Sequence, residues 1–292
     1  MVVDFHTHNF PAALAPRAVE LMLGKLNGLI VPAGDGTIDT ELRDMDRAGV
    51  DCCVNCPVAT KPGQFDAIFR RALAVRSGKE GESAARRIFQ LGSVHPDDPD
   101  FAKHIRTLKE NGIPGIKLHP QYQGVRIADP KYVPFFTALR DAGLFVISHC
   151  GFDPGFSDWP IISGPEQIAA ILTVVPGLKF VAAHLGGHCG SPPRAIDRLL
   201  SFENCWIDTA VMCICDDDPE AHRIVREWPA HRMVFGTDYF WRDEAKLMAW
   251  VKVLRPDPAA QKLIFSENAQ RLLGIAGHHT VTSDALPVAG NA

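Results

Sequence analysis

Val2-Val3-Asp4-Phe5-His6-Thr7-His8 sets two histidines two residues apart at the end of a short apolar run. On a β-strand residues i and i+2 point to the same side, so His6 and His8 project together while Thr7 faces away. Two imidazoles held that way can reach one metal ion. Taken alone, the pair fits equally well a polar strand end or histidines satisfied by backbone carbonyls. Other apolar runs end similarly: 145–148 leads into His149, 179–183 into His184, and 233–237 into Asp238. Ligand-type residues thus recur at one structural position, the C-terminal end of a strand.

These runs belong to a longer alternation of strand-like and amphipathic segments. Strands are expected at 1–5, 50–54, 88–94, 115–118, 144–148, 179–183, 205–208 and 233–236. Helices are expected between them at 37–48, 65–76, 100–111, 132–142, 165–175, 192–200, 218–228 and 243–254. Such alternation argues for parallel strands joined by right-handed crossovers, and eight units in about 250 residues is the count of an α/β fold of the (β/α)8 TIM barrel type. A doubly wound sheet is the alternative. No GxGxxG loop follows the first strand, and only a closed barrel brings the ends of strands 1, 5, 6 and 8 around one point. Gly49, Gly112 and Gly143 punctuate helix ends. The long segment 9–36, with Pro11, Pro16, Pro32 and a short helix at 17–23, is expected to cap the pocket. Residues 1–275 read as one barrel domain, and 276–292, with His278, His279 and Pro287, as a solvated tail.

The composition closes off several functions. Of 292 residues, 46% are hydrophobic and 22% charged, with a net charge of -4, which fits neither disorder nor a polybasic nucleic-acid surface. Asp4, His6 and His8 interrupt any signal-peptide core, and no run reaches the ~20 apolar residues of a membrane span. Cysteines 52, 53, 56, 150, 189, 205, 213 and 215 sit in or beside apolar runs and read as reduced, buried thiols of a cytoplasmic protein. The Cys53-Val54-Asn55-Cys56 spacing suggests half a zinc ribbon or a redox motif, but its strand context favours a structural role.

Together, His6, His8, His149 and Asp238 offer three imidazoles and one carboxylate. That set suits one divalent ion, Zn2+ first, with Mn2+ or Fe2+ as alternatives. An open coordination position would hold water whose pKa zinc lowers to about 7, and Asp238 could also accept its proton. His184, followed by Leu185-Gly186-Gly187-His188, is a candidate general acid or base, with glycines that would let a substrate approach the backbone.

The ordered set Asp4-Phe5-His6-Thr7-His8, Ser148-His149, Ala183-His184-Leu185-Gly186-Gly187, Phe235-Gly236-Thr237-Asp238 and the closing segment 267–274 resembles the amidohydrolase superfamily. The likeness is to the amidohydrolase 2 group, which contains aminocarboxymuconate-semialdehyde decarboxylase. The resemblance implies a metal-dependent barrel with His6, His8, His149 and Asp238 on the ion and His184 as a catalytic histidine. It also implies a homodimer or larger homo-oligomer, and it covers both hydrolases and decarboxylases.

Strand 4 adds Lys117 and His119 on one face. In other branches of the superfamily a strand-4 lysine is carboxylated and bridges two metals. The branch resembled here uses one, and Lys117 reads instead as an inward charge that orients a substrate carboxylate. Specificity should come from strand-end loops carrying Gln121, Tyr122, Arg126, Phe152, Phe156, Trp159, Tyr239, Phe240 and Trp241, with His119, Arg126 and Trp159 as candidate substrate contacts. The leading expectation is a mononuclear hydrolase of a small carboxylated or cyclic substrate. Decarboxylation on the same site is the alternative, and the acidic balance argues against a barrel nuclease.

Overall fold

A computed structural model describes residues 1–26, 28–210 and 215–275; the expected tail and Cys213 lie outside the described residues. Eight strands run β1 (Val3–Thr7), β2 (Cys52–Asn55), β3 (Ile88–Gln90), β4 (Gly115–Leu118), β5 (Phe145–Ser148), β6 (Phe180–Ala182), β7 (Cys205–Asp208) and β8 (Met233–Val234). Neighbours pair in parallel as β1-β2-β3 and as β4 through β8. Single bridges join the two sheets: Gly92 to Ile116 on one side and Thr7 to Tyr239 on the other. Lys117 N donates to Gly92 O at 3.0 Å, while Phe5 N donates to Phe235 O at 2.7 Å and Asp238 N to His6 O at 2.8 Å. The barrel is closed, and a (β/α)8 fold results.

Alternation along the strands sorts the apolar side chains into two layers. Val3, Phe5, Val54, Phe89, Phe145, Ile147, Val181 and Val234 fill the barrel interior. Ile116, Leu118, Val146, Phe180, Ile207 and Phe235 face outward and pack beneath helix residues such as Met45, Leu108, Leu139 and Ile171. The helix Asn268–Leu273 joins the interior layer through Ala269, Leu272 and Leu273. Asn268 Nδ2 donates to Ala230 O at 2.7 Å and to Met233 O at 2.6 Å, fixing that helix beside the start of β8. The closing segment 267–274 therefore serves the barrel rather than the chemistry.

The helix ends follow the punctuation of the sequence. Thr37, Asp218 and Asp243 cap the helices Ile38–Ala48, Pro219–Glu227 and Glu244–Leu254 through their side-chain oxygens. Gly49 and Gly143 close the helices Ile38–Ala48 and Val133–Ala142 in the left-handed conformation. The expected helix at 192–200 is a 3-10 segment, Ala195–Ser201, because Arg194 takes the left-handed conformation at φ 61, which no helix running on from Pro192 can include.

Candidate active site

Strict alternation from Val3 and Phe5 would turn His6 away from the barrel interior. The β1-β2 register shifts between Asp4 and Thr7, and this irregularity re-aims His6 inward. Gly236 allows β8 to follow it, since a Cβ there would lie 2.9 Å from His6 Cβ. Asp238 comes next in the left-handed region at φ 60, strain that directs its carboxylate across the strand ends. His8 Nε2 then lies 3.0 Å from Asp238 Oδ1, and His6 Nε2 lies 3.4 Å from it.

The spacing of these groups fits a shared ion. A tetrahedral ion with bonds of about 2.1 Å separates its ligand atoms by about 3.4 Å. The ligand atoms of His6, His8 and Asp238 all lie within 4.8 Å of one another. Burial holds the pKa of His6 and of His8 below the ordinary histidine value, so both are the neutral imidazoles a metal requires. Burial alone would hinder Asp238 from ionising, but the hydrogen bond with His8 and the nearby Lys117 charge outweigh it and keep the carboxyl below its usual range.

His149 stands one ring away. It stacks on His119 with centroids 4.2 Å apart and contacts His184 at 4.5 Å. Its Nε2 is buried without a hydrogen-bond partner, which suits a nitrogen awaiting a ligand. His119 Nε2 in turn approaches Asp153 Oδ2 at 3.3 Å. Lys117, 1% exposed, places Nζ 2.6 Å from His6 Nε2, on the nitrogen that an ion would take.

His184 leads a left-handed run that continues through Leu185 and Gly186, with φ values of 59, 51 and 71. Its Nδ1 lies 2.6 Å from Ala210 O, and because a carbonyl only accepts, Nδ1 carries the hydrogen and Nε2 bears the lone pair. Gly187 makes room for the β5 loop, since a Cβ there would meet Gly151 N at 2.8 Å, while Gly186, at φ 71, continues the left-handed run beside Ile207.

Asp208, at the end of β7, organises two of these histidines at once. Its Oδ2 lies 2.8 Å from His6 Nδ1, and its Oδ1 accepts from His184 N at 2.7 Å and Ala210 N at 3.1 Å. By accepting at Nδ1 it turns the His6 lone pair at Nε2 toward the site. Burial raises its pKa, opposed by the Lys117 charge and by the backbone N–H groups of His184 and Ala210 that donate to it. Sequence reasoning passed over Asp208, although a signal was there: its strand ends in a carboxylate as the others end in ligands. Asp153 carried no comparable signal.

A cavity of about 380 Å³ opens above these groups. His8, Lys117, His119, His149, His184 and Asp238 face it. Phe10, Leu14, Met22, Leu26 and Ile30 cover it, so the segment after β1 forms its lid. Tyr122, Phe152 and Trp241 supply aromatic walls and Arg71 a cation at the margin. Two expected substrate contacts lie elsewhere. Arg126 is exposed and does not line the cavity, and Trp159, 48% exposed, packs on Phe156 at 5.4 Å. Loop spacing placed both near the site but did not set the direction of their side chains.

A family model described as Amidohydrolase matches residues 3–275. No curated protein matches the chain. Among solved structures, an uncharacterized TIM-barrel protein of Bordetella bronchiseptica is similar, with a TM-score of 0.70 and 19% identity over 95% of this chain and 99% of that one. A probable 2-pyrone-4,6-dicarboxylic acid hydrolase of Acinetobacter baumannii, with citric acid bound, gives 0.62 and 15% over 94% and 99%. The 5-carboxyvanillate decarboxylase of Novosphingobium aromaticivorans, complexed with manganese and 4-hydroxy-3-methoxy-5-nitrobenzoic acid, gives 0.60 and 15% over 94% and 96%. At such identities the likeness concerns the barrel itself. With the family model spanning every strand of that barrel, the chain belongs to the amidohydrolase family, in its amidohydrolase 2 group.

Proposed function

We propose that the protein is a metal-dependent hydrolase that cleaves a small carboxylated or cyclic substrate with activated water. The observation that carries this reading is the convergence of His6 Nε2, His8 Nε2 and Asp238 Oδ1 at the floor of the cavity. His6, His8 and Asp238 would hold a single ion, with His149 as the fourth ligand. Zinc suits three imidazoles and a carboxylate, and manganese or iron are the alternatives. A bound divalent ion supplies Lewis acidity and brings the pKa of water down to about 7.

The side chains around that floor divide the remaining work. Asp238, held ionised, accepts a proton from the attacking water. His184, with Nδ1 pinned to Ala210 O, offers the Nε2 lone pair to take a proton released from the attacking water and pass it to the leaving group. Lys117 and His119 face the cavity and would bind an acidic group of the substrate. The apolar lid limits the water that reaches the reacting bond.

A second reading, release of CO2 from a carboxylated ring, is favoured by the aromatic walls of Tyr122, Phe152 and Trp241, which suit a flat substrate. There His184 would take a proton from solvent at Nε2 and deliver it to the carbon that CO2 leaves. Measuring acid release and CO2 release in parallel on lactones, amides and carboxylated phenols separates the two. CO2 production without ring or amide opening refutes hydrolysis. No helix among the described residues is long and apolar enough to cross a membrane. A cytoplasmic homodimer or larger homo-oligomer completes the proposal, tested by fractionation and light scattering.

A further inference from the structure

A second convergence of ligating atoms lies beyond the His6 cluster, where the loops after β6 and β7 meet. His188 Nε2, Cys215 Sγ and a carboxylate oxygen of Asp218 all fall within 4.8 Å of one another. Cys189, next in sequence to His188, has its thiol beside that of Cys215 at the same edge of the cavity. His188, Cys189 and Cys215 line the edge of the cavity, but none of the four belongs to the set that faces Asp238.

His188 is disposed as a ligand. Its side chain is only 2% exposed, yet Nε2 has no hydrogen-bond partner. Asp218 Oδ2 lies 3.3 Å away, too poorly aligned for a hydrogen bond but close to the ~3.4 Å edge of a tetrahedral zinc site. Its other nitrogen, Nδ1, sits 3.4 Å from His184 O. A metal-bound histidine commonly donates its free N–H to such a carbonyl, which fixes the tautomer and leaves Nε2 for the ion. A buried imidazole nitrogen that faces a thiol and a carboxylate, with no hydrogen bond of its own, has the chemistry of a vacant ligand position.

We propose that His188, Cys189, Cys215 and Asp218 form a separate binding site for a thiophilic divalent ion of the zinc class. The four donors come from two loops, so the ion would clip the β6 loop to the β7 loop at the cavity rim. Through His188 Nδ1 it would also brace the carbonyl of His184, the residue whose left-handed backbone directs its ring into the cavity. The site is structural in kind, since a four-donor set with two thiolates matches the closed, cysteine-bearing shell of a structural zinc site, unlike the imidazole and carboxylate set around Asp238, where a fifth position would hold water.

The test uses the full-length protein, kept reduced, stripped of metal and titrated with cobalt(II). Imidazole and carboxylate ligands alone give no sulfur-to-cobalt charge-transfer absorption in the near ultraviolet, whereas a site with two thiolates does. The band is expected in the wild-type protein and in His6→Ala/Asp238→Ala, and it should disappear in Cys189→Ser/Cys215→Ser. Its absence from the wild type, or its survival in the double cysteine variant, overturns the proposal. So does a Cys189–Cys215 disulfide that persists under reduction. Asp218→Asn serves where the cysteine variant does not fold, because asparagine still caps the helix Pro219–Glu227. Cobalt affinity at the thiolate site should then fall about tenfold or more, and an unchanged affinity overturns the assignment.

Discussion

Asp208→Asn tests whether one carboxylate sets the chemistry of two histidines. Asp208 meets three N–H groups: His6 Nδ1 at 2.8 Å on one oxygen, and His184 N at 2.7 Å with Ala210 N at 3.1 Å on the other. A carboxylate accepts all three, but an amide has one accepting end. If the Asn oxygen keeps the backbone pair, its NH2 faces His6 Nδ1. His6 must then accept there and carry its hydrogen on Nε2, where the ion would bind. If the amide flips, NH2 opposes two backbone donors in a fully buried place, which costs about 1–3 kcal/mol for the unsatisfied groups. Either orientation loses something, and loss of such an orienting partner typically costs 10–100-fold in metal affinity or activity, equivalent to about 1.4–2.7 kcal/mol.

The assay is competition with a chelator for zinc or manganese, with kcat/KM at saturating metal and Tm recorded on the same samples. Weaker metal binding with a modest fall in Tm is expected. Metal affinity and turnover within about twofold of wild type would refute the reasoning, because an amide would then be serving all three donors.

His6→Ala and Asp238→Ala should each lose bound metal or activity while circular dichroism retains the barrel signature, and unchanged turnover in either contradicts the proposed ligand set. Lys117→Met removes the nitrogen that lies 2.6 Å from His6 Nε2, so metal affinity should rise about 2–10-fold, the net value of one hydrogen bond, whereas a fall would mean that Lys117 itself helps to hold metal. Glu244 lies buried at the start of the helix Glu244–Leu254, and burial together with Asp4, Glu41, Asp44 and Asp243 pushes its pKa up to about 10. A carboxyl raised in the folded state binds its proton more tightly there than in the unfolded chain. Its stabilising contribution is therefore present below about pH 4.3 and lost as pH rises toward the folded value. Glu244→Gln should flatten the decline of Tm between about pH 5 and pH 9, and an unaltered slope counts against the assignment.

The fold was legible because a barrel buries its strands on both faces, and short apolar runs between amphipathic segments announce that. What composition could not set was where each strand stops. β1 extends to Thr7, two residues beyond the apolar run, because Asp4, His6 and Thr7 are polar yet wholly buried by the barrel around them. β8 contracts to Met233–Val234, since the chain beyond pairs with β1 by scattered bonds instead of a regular ladder. The helix Glu82–Arg87 escaped notice because a six-residue polar segment bounded by glycine carries no usable periodicity.

The site divides along a different line. Residues that approach the floor of the cavity sit at strand ends, where the backbone fixes direction, and His6, His8, His149, His184 and Asp238 were readable for that reason. Arg126 and Trp159 sit in loops, where position along the chain says little about direction, and neither reaches the cavity. Asp208 exposes the limit of reading residues singly: its importance lies in accepting from two strands' histidines at once, a relation only the closed barrel creates. With His6 on the ion and His184 moving the proton, as proposed, that relation would also make the two tasks interdependent. The carboxylate that turns the His6 lone pair toward an ion is the one that anchors the His184 backbone, whose ring is fixed by Ala210, itself bonded to Asp208. A change at either histidine must therefore be felt at the other. A His6 variant that lost the ion would therefore also disturb His184, and double-mutant cycles between His6 and His184 should be non-additive unless Asp208 has been replaced first.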